Sequence, residues 1–149
     1  MKIEFDHNYF MNRAIDEAKI ALSKGEVPIG AVIVADNKII ARAHNMVEAL
    51  NDVTAHAEIL AITSASNYIG GKYLENCSIY VTLEPCQMCA GALYWSRISK
   101  IYFGANDPKR GFEVLGSKIH PKTKVFGGIL QSECKDLLDK FFISRRNLN

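Results

Sequence analysis

No stretch of this chain approaches the ~18 uninterrupted apolar residues that a membrane-spanning helix needs, so a helical membrane protein is excluded. The first ten residues, MKIEFDHNYF, carry acids and lack an apolar signal core. Nothing in them points to export, and a cytoplasmic location with no membrane partner is expected. Internal repeats, low-complexity segments and linkers are also missing, so a single domain over residues 1–149 is expected. Cysteine is sparse at four residues. Without an export signal these read as thiols or metal ligands and not as a disulfide framework. What is present is a soluble globular composition: 48% apolar and 23% charged residues, in a chain long enough to bury a core.

The net charge of +2 is unevenly placed. Residues 1–96 hold seven Lys/Arg against eleven Asp/Glu, whereas residues 97–149 hold eleven against five. A basic C-terminal third can attract an anionic partner such as nucleic acid, and a solvated lysine-rich face would give the same count.

Phe10, Ala14, Ala18, Ala21 and Leu22 recur at helical spacing, which predicts an amphipathic helix over 8–24 ended near Gly25. IGAVIVA (29–35) and KIIARA (38–43) read as strands joined by an Asp36-Asn37 turn. Thr54 can cap a helix running from about Ala55 to Asn67 and stopping at Gly70-Gly71. SIYVTL (78–83) alternates like a strand, and Pro85 suits the first turn of a helix carrying CQMCAGALYW. KIYFG (100–104) and TKVF (123–126) are further strands. Cys134, Leu137, Leu138, Phe141 and Phe142 form the apolar face of a closing helix that ends in Arg145-Arg146. An initial hairpin followed by alternating strands and helices predicts an α/β domain in three layers, α/β/α, around a mixed, mostly parallel sheet.

Within TAHAEILAI (54–62), His56 and Glu58 sit among small and apolar residues, where an unpaired polar group would be costly. Cys86 and Cys89, three apart at a helix start, can present two thiols to one side, and a helix N-terminus favours thiolates. Two thiolates and the His56 imidazole make a three-ligand zinc site with the fourth tetrahedral position open to water, the mark of catalytic zinc. Such a site is formally neutral and acidifies water less than a tris-imidazole site, so a carboxylate beside it has work to do. Glu58 is near enough to take the water's proton without being a ligand. Two other readings stay open: a thioredoxin-like dithiol, and a zinc-stabilised binding module closed by Cys77 or Cys134. His7, His44 and His120 belong to no motif and read as surface or packing histidines, while Cys77 and Cys134 read as small buried residues. His-x-Glu, 26 residues, then Pro-Cys-x-x-Cys is a signature of zinc deaminases that act on nucleobases.

At His56-Ala57-Glu58 and Pro85-Cys86-Gln87-Met88-Cys89 the chain resembles the zinc-dependent cytidine deaminase-like superfamily. Within it the likeness is to bacterial tRNA-specific adenosine deaminases, on GEVPIGAVIV (25–34), TAHAEI (54–59), SIYVTLEPC (78–86), MCAGAL (88–93), SRI (96–98), FGANDPK (103–109) and the short runs GIL, EC, LL, FF and RR near the end. YWSR (94–97) is similar to guanine deaminases of the same superfamily, which makes guanine or a free nucleoside the second substrate reading. The resemblance implies a cytidine deaminase-like fold, one Zn²⁺, no nucleotide cofactor, and hydrolysis of wobble adenosine to inosine in a tRNA anticodon loop. It implies that Glu58 shuttles protons, that Asn45 bonds the nucleoside, and that backbone groups near Ala57 and Glu84-Pro85 hold the base edge. Asp107 and Lys109 would meet the flanking nucleotides, and Phe142, Arg145 and Arg146 the RNA strand. GFEVLGSKIHPKTKVFGG (111–128) departs from the family pattern, which is longer there, in a region that would border the substrate. A homodimer is also implied, for which Leu93-Tyr94-Trp95 could supply contacts or else belong to the core.

Overall fold

Residues 3–147 are described in the computed structural model. Helix α1 (His7–Ser23) starts at Asp6, whose side chain accepts the Tyr9 N–H, and ends before Gly25 at φ 76°. Strands β1 (Gly30–Ala35) and β2 (Lys38–His44) form the expected hairpin. Asp36 and Asn37 both take positive φ, 50° and 58°, as a two-residue turn between twisted strands demands. Then follow α2 (Val47–Leu50), α3 (Ala57–Ile69), β3 (Cys77–Leu83), α4 (Gln87–Ser96) and β4 (Lys100–Ala105). The chain closes with α5 (Phe112–Leu115), β5 (Lys124–Phe126) and α6 (Gln131–Asn147).

The strands form one sheet in the order β2-β1-β3-β4-β5. β1 is antiparallel to both neighbours, whereas β3, β4 and β5 pair in parallel, so β1 alone runs against the other four. Both faces are covered. Ile79 and Val81 of β3 point into one core with Ala57, Ala61, Ala65, Ala90 and Leu93 of α3 and α4. Tyr80, the intervening residue, faces the other, with Phe10, Ala14 and Ala18 of α1 and Leu137 of α6. This is the three-layer α/β/α arrangement. Helix α1 lies so close to β1 that a Cβ at Gly30 would collide with the Ala14 carbonyl, which explains a glycine at the head of a buried strand. Among the described residues no helix is long and apolar enough to cross a membrane.

Several expectations need correcting. Thr54 does not cap α3: its N–H and hydroxyl both turn back to Asp52 Oδ1, and the N-cap position belongs to His56. Pro85 lies before Cys86, the N-cap of α4, and so outside that helix. Phe142 is 49% exposed, and the apolar face of α6 is completed by Cys134, Leu137, Leu138 and Phe141 without it. Leu93 belongs to the core, whereas Trp95 projects outward with 76% of its surface exposed.

Because β2, β3 and β4 run the same way, their carboxyl ends share one edge of the sheet. Asn45 follows β2, Glu84-Pro85-Cys86 follows β3, and Asn106-Asp107 follows β4. That edge carries the candidate site, as expected where ligands bind beyond strand ends in α/β sheets.

Candidate active site

His56 and Cys86 are the N-cap residues of α3 and α4, and neither side chain makes a capping hydrogen bond. At α3 that task passes to Asn45, whose buried Oδ1 accepts the Ala57 N–H at 2.8 Å. The imidazole is thereby left free to turn toward the thiols. Its Nδ1 lies 3.5 Å from Cys89 Sγ and 3.7 Å from Cys86 Sγ. A tetrahedral ion with Zn–S of about 2.3 Å and Zn–N of about 2.0–2.1 Å requires an S···N edge of about 3.5–3.6 Å. The three donor atoms lie within 4.8 Å of one another and form the one such His/Cys cluster among the described residues. Distances and donor types both fit zinc. Cys77 and Cys134 are buried elsewhere and do not join the group, which removes the closed-site reading.

The electrostatics carry the same message. A hydrogen bond from Cys89 and the neighbouring His56 lower the Cys86 thiol to about 4. Cys89, which donates to that thiolate and is buried, is pushed far up. His56 is raised, chiefly by its hydrogen bond to Cys86. Mutual repulsion disfavours ionising both adjacent thiols, and a divalent metal between them would favour it. Glu58, 4% exposed in the first turn of α3, is raised to about 7 by burial. A carboxyl poised near neutrality can both take and give a proton.

Backbone groups near the cluster are hydrogen-bonded to neighbouring segments. The Ala57 N–H is spent on Asn45, the Glu84 N–H on the Ala105 carbonyl, and the Pro85 carbonyl on the Phe112 N–H. Asp107 is half-buried, its Oδ1 accepting the Lys109 and Arg110 N–H groups. Lys109 and Arg146 are exposed. Arg145 stacks on Phe141, 4.9 Å from the ring centroid, and donates to the Gly25 carbonyl at 2.6 Å. That tie brings the end of α6 to the loop that leads into β1.

Sequence reasoning missed two buried carboxylates. Glu26 accepts the Glu48 and Ala49 N–H groups at 3.0 and 2.8 Å, and Glu84 accepts from both loops beside Cys86. Each stands in a motif that the resemblance quoted, but apart from Asn106 Nδ2 on Glu84 their partners are backbone amides, which leave no mark in a sequence.

The model for the cytidine and deoxycytidylate deaminase zinc-binding region matches residues 5–105, which include all three thiol and imidazole donors and Glu58. A tRNA-specific adenosine deaminase of Aquifex aeolicus is 47% identical over 144 residues, 93% of this chain and 95% of that protein. The chain belongs to the tRNA-specific adenosine deaminase family. A structure from studies of A-to-I editing by tRNA:A34 deaminases superposes with a TM-score of 0.84 at 44% identity, covering 89% of this chain and all of that one. Guanine deaminase from Bacillus subtilis gives 0.66 at 41% identity over 68% of this chain and 66% of its own. The family match accounts for the fold and the His/Cys/Cys cluster. Asp107, Lys109, Phe142, Arg145 and Arg146 lie beyond residue 105.

Proposed function

We propose that this chain is a single deaminase domain, residues 1–149, that hydrolyses adenosine to inosine at the wobble position of tRNA. The observation that carries the chemistry is His56 Nδ1 at 3.5 and 3.7 Å from two thiols, with buried Glu58 beside them. The near full-length identity to tRNA-specific adenosine deaminases supports the substrate. His56, Cys86 and Cys89 would hold Zn²⁺, which would supply the Lewis acidity that lets water attack at neutral pH.

Glu58 takes a proton from the attacking water and delivers it to N1 of adenine as the C6–O bond forms. The remaining hydroxyl proton then passes through the same carboxyl to the amino nitrogen. The C6–N bond breaks, C6 becomes a carbonyl and ammonia leaves. Asn45, held by its bond to Ala57, donates from Nδ2 to the nucleoside. Asp107 and Lys109 meet the nucleotides on either side, and Phe142, Arg145 and Arg146 line the strand. The target base must leave its stack, which costs at most a few kcal/mol in a single-stranded loop.

The protein acts in the cytoplasm as a homodimer. Support for the latter is Trp95, an apolar side chain that the fold leaves uncovered. Guanine deamination is the second reading, favoured by the 41% identity to the Bacillus subtilis enzyme over two thirds of the chain. The test is digestion of an anticodon hairpin after incubation with the protein, with inosine read by chromatography. Inosine at the wobble position supports the proposal, and a hairpin left wholly unconverted overturns it.

A further inference from the structure

A buried carboxylate is costly unless its oxygens are fully hydrogen-bonded. Glu84 is 3% exposed, and among the described residues no lysine or arginine bridges to it. Its partners are three donors from two separate segments. Oε1 accepts the Asp107 N–H at 3.0 Å and Asn106 Nδ2 at 3.4 Å, both beyond β4. Oε2 accepts the Glu113 N–H at 3.0 Å, in the first turn of α5.

The second of these segments touches the metal-ligand loop directly, and the Gly111 N–H ties it back to the Asp107 carbonyl at 3.0 Å. Gly111 bridges to Cys86, and the Phe112 N–H donates to the Pro85 carbonyl at 3.0 Å. A Cβ on Gly111 would collide with the Glu84 carboxylate, so the glycine is there to admit it. Gly111 has φ −65°, which any residue can adopt, so space and not backbone conformation demands glycine.

We propose that Glu84 is a positioning residue: its carboxylate locks the Asp107 turn and the start of α5 to the loop that carries Cys86. The wall that meets the nucleotide beside the target and the loop that meets the metal are thereby held in one register. The idea rests on the deaminase reading above for what Asp107 touches. A carboxylate is required because two segments each present backbone N–H groups, and an amide side chain can accept at only one of its two positions.

Glu84→Gln keeps the volume and replaces one acceptor with a donor. The expected result is unchanged zinc per chain, kcat on the anticodon hairpin nearly unchanged, and KM raised roughly tenfold, as for a buried bond to a charged group. Amide hydrogen exchange at Asp107 and Glu113 should quicken. Combined with Asp107→Ala, the KM penalties should be less than multiplicative, since one residue acts through the other. Gly111→Ala disturbs the same carboxylate without removing it and should reproduce the KM and exchange effects. It carries the test if Glu84→Gln does not fold. Unchanged KM and exchange, fully multiplicative penalties, or a loss confined to kcat and zinc would each overturn the proposal. Wild-type turnover of the hairpin judges the deaminase reading separately. Should the wild type turn over a free purine instead, the ratio of variant to wild type is read on that base.

Discussion

Asn45 Oδ1 accepts the Ala57 N–H at 2.8 Å, so the first turn of α3 is capped from the end of β2, twelve residues earlier in the chain. A side chain at the N-cap itself normally does this, but here that residue is His56, and its ring is wanted elsewhere. Asn45→Ala should therefore leave a buried N–H unpaired and cost about 1–2 kcal/mol in stability. Urea denaturation reads it, and Asn45→Asp should recover most of the loss while lacking the Nδ2 donor and turning over poorly. An Ala variant as stable as the parent would show that the cap is idle.

Zinc should be present at one ion per chain and depend on three side chains. Cys86→Ser, Cys89→Ser and His56→Ala should each lower occupancy, because removing one of three donors leaves a pair too weak to hold the ion. Cys77→Ser and Cys134→Ser should leave the zinc content unchanged, since both residues lie outside the cluster. Elemental analysis of freshly purified protein decides it. Equal losses at Cys77 and Cys86 would sink the assignment.

Glu58→Ala should separate metal binding from turnover. The carboxyl is buried beside the thiols and is raised to about 7 by that burial, as suits a group that shuttles protons. Zinc content should stay near the wild-type value while kcat falls by about 10²–10⁴ or more, the usual contribution of a general acid–base group. Retention of half the wild-type rate would remove Glu58 from the mechanism.

The two arginines that close α6 should behave differently. Arg146 is exposed, whereas Arg145 is tied to the Gly25 carbonyl and the Phe141 ring. Hairpin affinity should fall with salt, with a logarithmic slope of roughly −0.7 for each phosphate contact on a single strand. Arg146→Ala should flatten that slope with no loss of stability. Arg145→Ala should lower stability as well. Slopes identical to wild type in both variants would place the RNA on another face.

The His/Cys/Cys cluster was legible in the sequence because residue type and short spacing carry the chemistry directly: His-x-Glu at the start of one helix, Cys-x-x-Cys at the start of another. The long helices and the strands were legible through periodicity, with bounds shifted by a residue or two. α2 and α5 went unseen because four residues make barely one turn, too few for an apolar pattern to recur. The capping of α3 was misassigned to Thr54 because the nearest suitable hydroxyl is a local rule, whereas the actual cap comes from another strand. Phe142 was placed on the apolar face because adjacent aromatics on a helix read alike until packing selects one, here Phe141. Glu26 and Glu84 stayed hidden because backbone amides bond them, and only the fold brings those amides together.

Ammonia release from an adenosine-containing anticodon hairpin, measured beside free guanine, free adenosine and cytidine under identical conditions, tests the central claim most directly. The site geometry and the family predict turnover of the hairpin with little on the free compounds. Turnover of guanine with none of the hairpin would contradict it and make residues 111–128, which begin beside Cys86, the wall of a small-molecule pocket.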